Sequence, residues 1–337
     1  MNTVVVLGPG RDTGRPLAAG QGLLLTLAGL SLVPAVPTTV MRLIPPTDDA
    51  TALAASFIAY GVIPYAIALL CMLAALIRAR RRLALGVITG IVALLTALHL
   101  AWIGPLFVPD QRAARTAPFR VMTLNMLYGR ADPAQVADIS ERADIVILAE
   151  VTPAALQSLE AKAWYKRFPY SVGHSEMGVG GTAVYSRFRL SNAKLIGPTE
   201  FQQWAVMAEV PGVGPVRLLA VHPCNPYCGG DRWHSDHQLI WNAATEDQVA
   251  PTIIAGDFNA VEDHGPMQRL RRLGLSSASD IVGAGWLPTF PADHRTIPPL
   301  LPIDHVLVND RLTATSVTTF SVSGTDHRGL LTTLAGT

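Results

Sequence analysis

Three long stretches of this 337-residue chain carry no charged side chain, between Arg15 and Arg42, between Asp49 and Arg78, and between Arg82 and Asp110. Each exceeds the roughly 20 residues that a helix needs, at about 1.5 Å per residue, to cross a hydrocarbon core about 30 Å thick. A helix buried in a water-soluble domain would show a polar face at helical spacing, and ALGVITGIVALLTALHLAWIGPLF shows none. The pattern therefore predicts three transmembrane helices with cores near 17–40, 53–77 and 83–107. A cleaved signal peptide is the alternative for the first, but no clear small-residue cleavage site follows it and two further spans do.

From about Arg120 onward the rhythm changes. Short apolar runs of strand length recur as FRVMTLN, DIVILAE, TAVYSR, WAVMAEV, VRLLAVH, TIIAGDF, DHVLV, VTTFSV and LLTTLA. Helical stretches lie between some of them. PAQVADISERA opens on Pro133 after Asp132, a favourable helix start; TPAALQSLEAKA, HSDHQLIWNAATEDQ and HGPMQRLRRLG are the others. So many strands with so few helices predict two stacked sheets with helices outside, an α/β layered domain. The organisation expected is a membrane domain over 1–109, a linker over 110–117 lying against the membrane surface, and a folded domain over 118–337.

Charge separates the same two parts. Up to Phe107 there are seven Lys and Arg against three Asp and Glu; beyond it there are nineteen against twenty-two. His99 is the one His of nine in the first part, so acid-base chemistry belongs to the second. RARRR, Arg78 to Arg82, separates the second and third spans, while the first loop carries Asp48 and Asp49 with Arg42 at its edge. Lys and Arg in short loops mark the cytoplasmic side. The N-terminus, with Arg11 and Arg15, is then inside, and everything after Phe107 outside. A nucleic-acid-binding role for RARRR is the rival reading, but five residues between two spans favour topology.

Cys71 lies in the second span as a small hydrophobe, whereas Cys224 and Cys228 in HPCNPYCGG admit a local disulfide, free thiols, or a zinc site with His222, His234 and His237. GPGRDTG near the N-terminus is not a phosphate-binding loop, because it lacks the Lys-Ser/Thr pair and precedes a membrane span.

The strands of the second part share a habit of finishing in polar residues. Asn125 closes VMTLN, Glu150 closes DIVILAE, His222 closes LLAVH, and Asp257 and Asn259 close TIIAGDFN; Asp304, Asp326 and His327 follow in LPIDHVLV and SVSGTDHRG. Any one alone also suits a turn or a cap. Together, carboxylates and amides without a Cys cluster suit a hard cation such as Mg²⁺ or Mn²⁺. A nearby His adds proton transfer or a donor to developing negative charge. The set describes metal-assisted hydrolysis of a phosphoester or phosphoanhydride.

TLN, LAE, GTAVYSR, VH, GDFN, IDH and TDH, in this order, resemble the endonuclease/exonuclease/phosphatase superfamily of divalent-metal phosphoesterases. The resemblance implies a four-layer α/β sandwich. It also implies roles: Glu150 as principal metal ligand with Asn125 and with Asp326 near the metal; Asp257 orienting or deprotonating water; Asn259 holding the phosphoryl group. His327, oriented by Asp304, would donate to a phosphate oxygen, and His222 would support the phosphate or the leaving group. Three positions depart from the family pattern: His305 where Tyr is common, Ala149 where Gln is frequent, and Gly329 where Pro is frequent. The combination of three spans with this domain resembles VanJ-type teicoplanin-resistance membrane proteins, which implies a lipid substrate, undecaprenyl pyrophosphate. A tethered nuclease, a phospholipid phosphodiesterase and an inactive binding module are the alternatives. The acidic balance of the second part disfavours nucleic acid, whose phosphates are met by Lys and Arg.

Overall fold

The computed structural model describes residues 19–79, 82–110, 112–162, 164–294 and 296–337; GPGRDTG, Arg15, Leu17, Arg80 and Arg81 lie outside them. The described chain divides into two compact units, 19–37 with 60–79 and 82–99, and 38–59 with the described residues from 100 onward.

The described N-terminal part, up to Phe107, is helical: α1 (Ala19–Leu43), α2 (Asp49–Ala55), a 3-10 turn (Ile58–Gly61) leading into α3 (Val62–Arg78), and α4 (Leu83–Ile103) ending in a 3-10 turn (Gly104–Phe107). Three stretches, Gly20–Leu43, Ile58–Arg78 and Leu83–Phe107, are long and apolar enough to cross a membrane. The second starts later than the sequence pattern predicts. Asp48 caps the separate helix α2 by accepting the N–H of Thr51 at 3.0 Å, and a capping bond is invisible to hydropathy.

In the first unit, Ala28, Ala35 and Ala68 meet Tyr65, Met72 and Val92, small residues that let helices approach closely. Leu23, Leu30, Val33, Leu70, Ile77, Leu83 and Leu94 are exposed. Outward apolar surface of this extent suits a hydrocarbon surrounding. Thr89 and Thr96 return their hydroxyls to the carbonyls of Leu85 and Val92, each at 2.8 Å, leaving those polar groups satisfied within the helix.

The second unit holds β1 (Phe119–Asn125), α5 (Pro133–Ser140), β2 (Ile145–Ala149), α6 (Pro153–Glu160), α7 (Trp164–Arg167), β3 (Tyr170–His174), β4 (Thr182–Ser186), β5 (Leu190–Leu195), β6 (Trp204–Val210), β7 (Gly214–Val221), α8 (Arg232–Glu246), β8 (Thr252–Asp257), α9 (Gly265–Arg272), β9 (Ser276–Ser277), α10 (Ala278–Val282), β10 (Asp304–Val308), β11 (Leu312–Ser321) and β12 (Arg328–Gly336). They form two six-stranded mixed sheets, ordered β11-β12-β1-β2-β4-β3 and β5-β6-β7-β8-β10-β9. Val121, Ile145 and Ile147 of one sheet and Leu218, Ala220 and Ile253 of the other share the core between them. Met122, Leu124, Val146 and Leu148 face outward onto Val136, Ala155 and Trp164. On the opposite side, Leu219 and Ile254 face Trp233, Ile240, Met267 and Ala52 of α2. Period-two alternation thus makes four layers.

Each sheet contains one parallel pair, and this positions the site. β1 runs parallel to β2 with Asn125 opposite Ala149, and β7 runs parallel to β8 with Val221 opposite Gly256. β12 is antiparallel to β1, and β10 is antiparallel to β8 with Asp304 opposite Asp257. Parallel strands finish, and their antiparallel neighbours begin, at one end of the sandwich. Residues distant in sequence therefore gather there.

Candidate active site

Asn125 stands at the centre of this end. Its Nδ2 donates to Glu150 Oε1 at 3.0 Å and to Asp257 Oδ2 at 2.9 Å, while its Oδ1 accepts the N–H of Leu127 at 2.9 Å. The other oxygen of Glu150 accepts the N–H of Tyr128 at 2.7 Å. Glu150, Leu127 and Tyr128 all have positive φ, at 59°, 43° and 54°. Non-glycine residues are uncommon in that region, and such strain collects at functional sites.

Asp257 Oδ1 accepts the N–H of Asn259 at 2.8 Å, and Asn259 Nδ2 donates to the carbonyl of Pro223 at 3.0 Å. Gly256 precedes them at φ 146°, where a β-carbon would run into the backbone carbonyl of Val221. Only Gly lets β8 lie this close to β7 while turning Asp257 into the site. Two imidazoles approach Asp257 Oδ2, each with its Nε2 at 3.7 Å: His222 and His327. His327 Nδ1 meets Asp304 Oδ2 at 2.9 Å. The backbone N–H of His327 donates to the Thr325 hydroxyl at 3.2 Å, which itself donates to the carbonyl of Asn125 at 2.7 Å. Phe201 stacks on His222 with ring centroids 4.8 Å apart, and the Phe290 ring lies 5.1 Å from that of His327.

All eight residues singled out from sequence meet in or beside one open cleft of about 320 Å³; seven line it, and Asp304 stands behind His327. Sequence reasoning did not find the Tyr128 and Leu127 N–H donors, Thr325 or Phe201. Their signal is the left-handed turn after TLN and an aromatic residue in a loop, neither of which carries a hydropathy pattern.

The two histidines are held in different states. Burial alone would depress His327, but the carboxylates of Asp304 and Asp257 outweigh it and push the imidazole up to about 10. Burial carries His222 down to about 4, against the pull of Asp257. One is a cation at neutral pH and the other a neutral ring. Burial raises Glu150, opposed by the Tyr128 N–H and the Asn125 amide, and burial likewise raises Asp326, opposed by His327.

These residues fit a divalent cation. One neutral amide draws Glu150 and Asp257 together, and Asp326 Oδ1 is buried without a hydrogen bond, 3.9 Å from His327 Nε2. Three carboxylates crowd round a single imidazolium, His327, and oxygen donors in excess of positive charge suit a hard ion. Asp257, Asp304 and His327 also bring ligand atoms within 4.8 Å of one another. There His327 Nδ1 and Asp304 Oδ2 already hold each other, while Asp304 Oδ1 is buried with no hydrogen bond among the described residues.

Residues 122–327 match the Endonuclease/Exonuclease/phosphatase family, more than half of the chain. The chain belongs to that family. Its members are metal-dependent hydrolases of phosphoric esters, and this is an enzyme of that kind. Solved structures share the fold. An endonuclease/exonuclease/phosphatase from Bacteroides vulgatus is 17% identical, with a TM-score of 0.52, over 66% of this chain and 100% of that one. D. rerio TDP2 complexed with single strand DNA product is 15% identical, with a TM-score of 0.50, over 65% and 98%. An endonuclease/exonuclease/phosphatase from Beutenbergia cavernae is 18% identical, with a TM-score of 0.50, over 66% and 72%. No curated protein matches the chain.

Two of the three departures from the family pattern, His305 and Gly329, have defined surroundings. His305 Nε2 meets the carbonyl of Ala260 at 2.8 Å, behind the site and outside the cleft lining. The Phe320 ring fills the place of any β-carbon at Gly329. Cys224 and Cys228 are joined by a disulfide, which removes them as zinc ligands.

Proposed function

We propose that this enzyme is anchored by three transmembrane helices and hydrolyses a polyprenyl pyrophosphate, undecaprenyl pyrophosphate first among them, to the monophosphate and inorganic phosphate at the extracytoplasmic face of a bacterial membrane. Such a reaction serves recycling of the cell-wall carrier lipid and resistance to glycopeptides such as teicoplanin. The observation that carries the hydrolytic part is the setting of Asp257, whose Oδ2 lies 2.9 Å from the Asn125 amide and 3.7 Å from each of two imidazoles. The lipid part is supported by three apolar helices on the same chain, which hold the enzyme where lipid phosphates are at high effective concentration.

In this reading Glu150, with Asn125 and Asp326, holds Mg²⁺ or Mn²⁺. A divalent ion bound there supplies Lewis-acid polarisation of the phosphoryl oxygens. Asp257 takes the proton of the attacking water. The His327 cation, fixed by Asp304, donates to a phosphoryl oxygen as charge builds on it. Asn259, beside Asp257, holds the phosphoryl group. His222, a neutral ring stacked on Phe201, donates to the phosphate or to the leaving oxygen.

The outward orientation is supported by RARRR in the loop between the second and third spans, by the Cys224–Cys228 disulfide, which suits an oxidising compartment, and by Arg42, whose charge is paired with Asp263 at 2.9 Å. Protease protection in right-side-out against inverted vesicles tests it: cleavage after Phe107 is expected in right-side-out vesicles.

Detergent-solubilised protein with Mg²⁺, given a polyprenyl pyrophosphate or plasmid DNA, tests the reaction. Free phosphate from the lipid, lost in Asp257→Ala, is the expected result. Nicking of the plasmid without phosphate release would replace the lipid reading with a nuclease, the reading favoured by the fold shared with DNA-bound TDP2. Phosphate release unchanged in Asp257→Ala would remove the catalytic assignment.

A further inference from the structure

The segment joining the first two apolar helices is more than a connection. Its helix α2 is held on the catalytic unit through Ala52, and Arg42 adds an ion pair at the end of α1. His264, 1% exposed, accepts the N–H of Val261 at Nδ1, 2.9 Å away, which leaves Nε2 to donate to the carbonyl of Ala52 at 2.8 Å. Ala52 is itself buried with Trp233 and Ile254 in the outer core of the second sheet. Arg42, just before the segment, pairs with Asp263, the neighbour of His264, at 2.9 Å. A loop fixed in this way has a set position and presents set side chains.

Two of them, Leu53 and Ser56, line the same cleft as Asp257 and His327. Leu53 is only partly buried, and the same cleft is lined by Phe201, Tyr227, Phe290 and Ile303. Tyr227, on the disulfide-closed turn that packs beside α2, is 78% exposed. The polar groups around Asp257 suit a phosphoryl group; elsewhere the Ser56 and Tyr227 hydroxyls and the Asn225 amide interrupt a lining that is otherwise hydrocarbon and aromatic.

We infer that Leu53 is a specificity-determining residue: the segment 48–57 forms the wall of the active site that receives the first carbons of a lipid chain attached to the scissile phosphate. This deepens the reading of a lipid pyrophosphate substrate and rests on it. The consequence is that the catalytic sandwich without this segment has the chemistry but lacks the preference for a chain.

The test compares full-length protein in detergent with Mg²⁺ on farnesyl pyrophosphate and on inorganic pyrophosphate, which has the same bond and no chain. Leu53→Asp is expected to lower the ratio of kcat/KM for the two about tenfold, through KM for the farnesyl substrate, and Leu53→Met to preserve it. An unchanged ratio in Leu53→Asp with a wild-type melting temperature overturns the inference. Should that variant fold poorly, wild-type protein labelled with a farnesyl pyrophosphate carrying a diazirine on its first isoprene unit decides. Label in peptide 48–57 supports the wall, and label confined to other peptides overturns it. The two levels fail differently. A wild type that releases phosphate from farnesyl pyrophosphate but is indifferent to Leu53 sinks only this inference. A wild type with no release from it sinks the lipid substrate and this inference with it.

Discussion

In the sheet containing β1 and β2, the parallel pair finishes in Asn125 and, one residue on, Glu150, an amide and an acid pinned by main-chain N–H groups of Leu127 and Tyr128. In the sheet containing β7 and β8, the equivalent pair finishes in Asp257 and, again one residue on, His222, set by the bare Gly256 and by side chains from the other sheet. In the proposed mechanism the same topology serves two purposes: one sheet offers oxygen to a cation, and the other a carboxylate and an imidazole to water and phosphate. Two bonds stitch the halves together, Asn125 to Asp257 and His327 to Asp304. Neither sheet is an active site by itself, and the chemistry depends on the core between them holding its spacing.

Removing the centre of the second half breaks the comparison most severely. Asp257→Ala is expected to lower kcat for phosphate release by roughly 10³–10⁴-fold, the upper range for a general base, measured by continuous phosphate assay. Asp304→Asn leaves His327 without its nearest anion, and a loss of about 10²–10³-fold is expected, as for an electrostatic donor. Asn125→Ala removes one stitch while sparing both acids. Its effect should fall on the ion, raising the metal concentration for half-maximal activity about 10–100-fold, read from a Mg²⁺ titration at saturating substrate. Gly256→Ala tests the backbone approach of the two parallel strands. It is expected to cost at least about 3 kcal/mol of stability, seen as a lowered Tm, because the atom it strikes is a carbonyl in the neighbouring strand.

The smallest effect concerns pH. Burial holds His264 down to about 4 from an ordinary 6.5, so below pH 6.5 the unfolded chain binds a proton that the folded chain refuses. The His264 contribution to stability is then complete above about pH 6.5 and falls as pH drops toward 4. Buried His237, held down to about 3 first by burial and then by the charge of His264, adds to the same slope. His327, pushed up to about 10, contributes the reverse trend above pH 6.5, so the check is a difference: between pH 7.5 and pH 5 the Tm of His264→Gln should fall less, or rise more, than that of the wild type.

Much of this was readable in the chain because hydropathy records burial. The runs ending in Asn125, Glu150, His222 and Asp257 are core strands whose last residue leaves the core, and the change from apolar to polar marks that point. β3 and β5 gave no such mark. They lie toward sheet edges with largely exposed faces, and YSVGH and LSNAKL neither alternate nor run apolar. α2 was hidden for a different reason. Its Ala and Leu residues continue the apolar composition of the helix that follows, and what separates them is the Asp48 cap and the fastening of Ala52 by His264, both dependent on folding. The sequence distinguished loop from helix there by charge alone.

The two hydrogens of one side-chain amide have a last consequence. Asn125 spends both on acids that belong to different sheets, Glu150 and Asp257, so a slip of one sheet along the other is felt at both carboxylates at once.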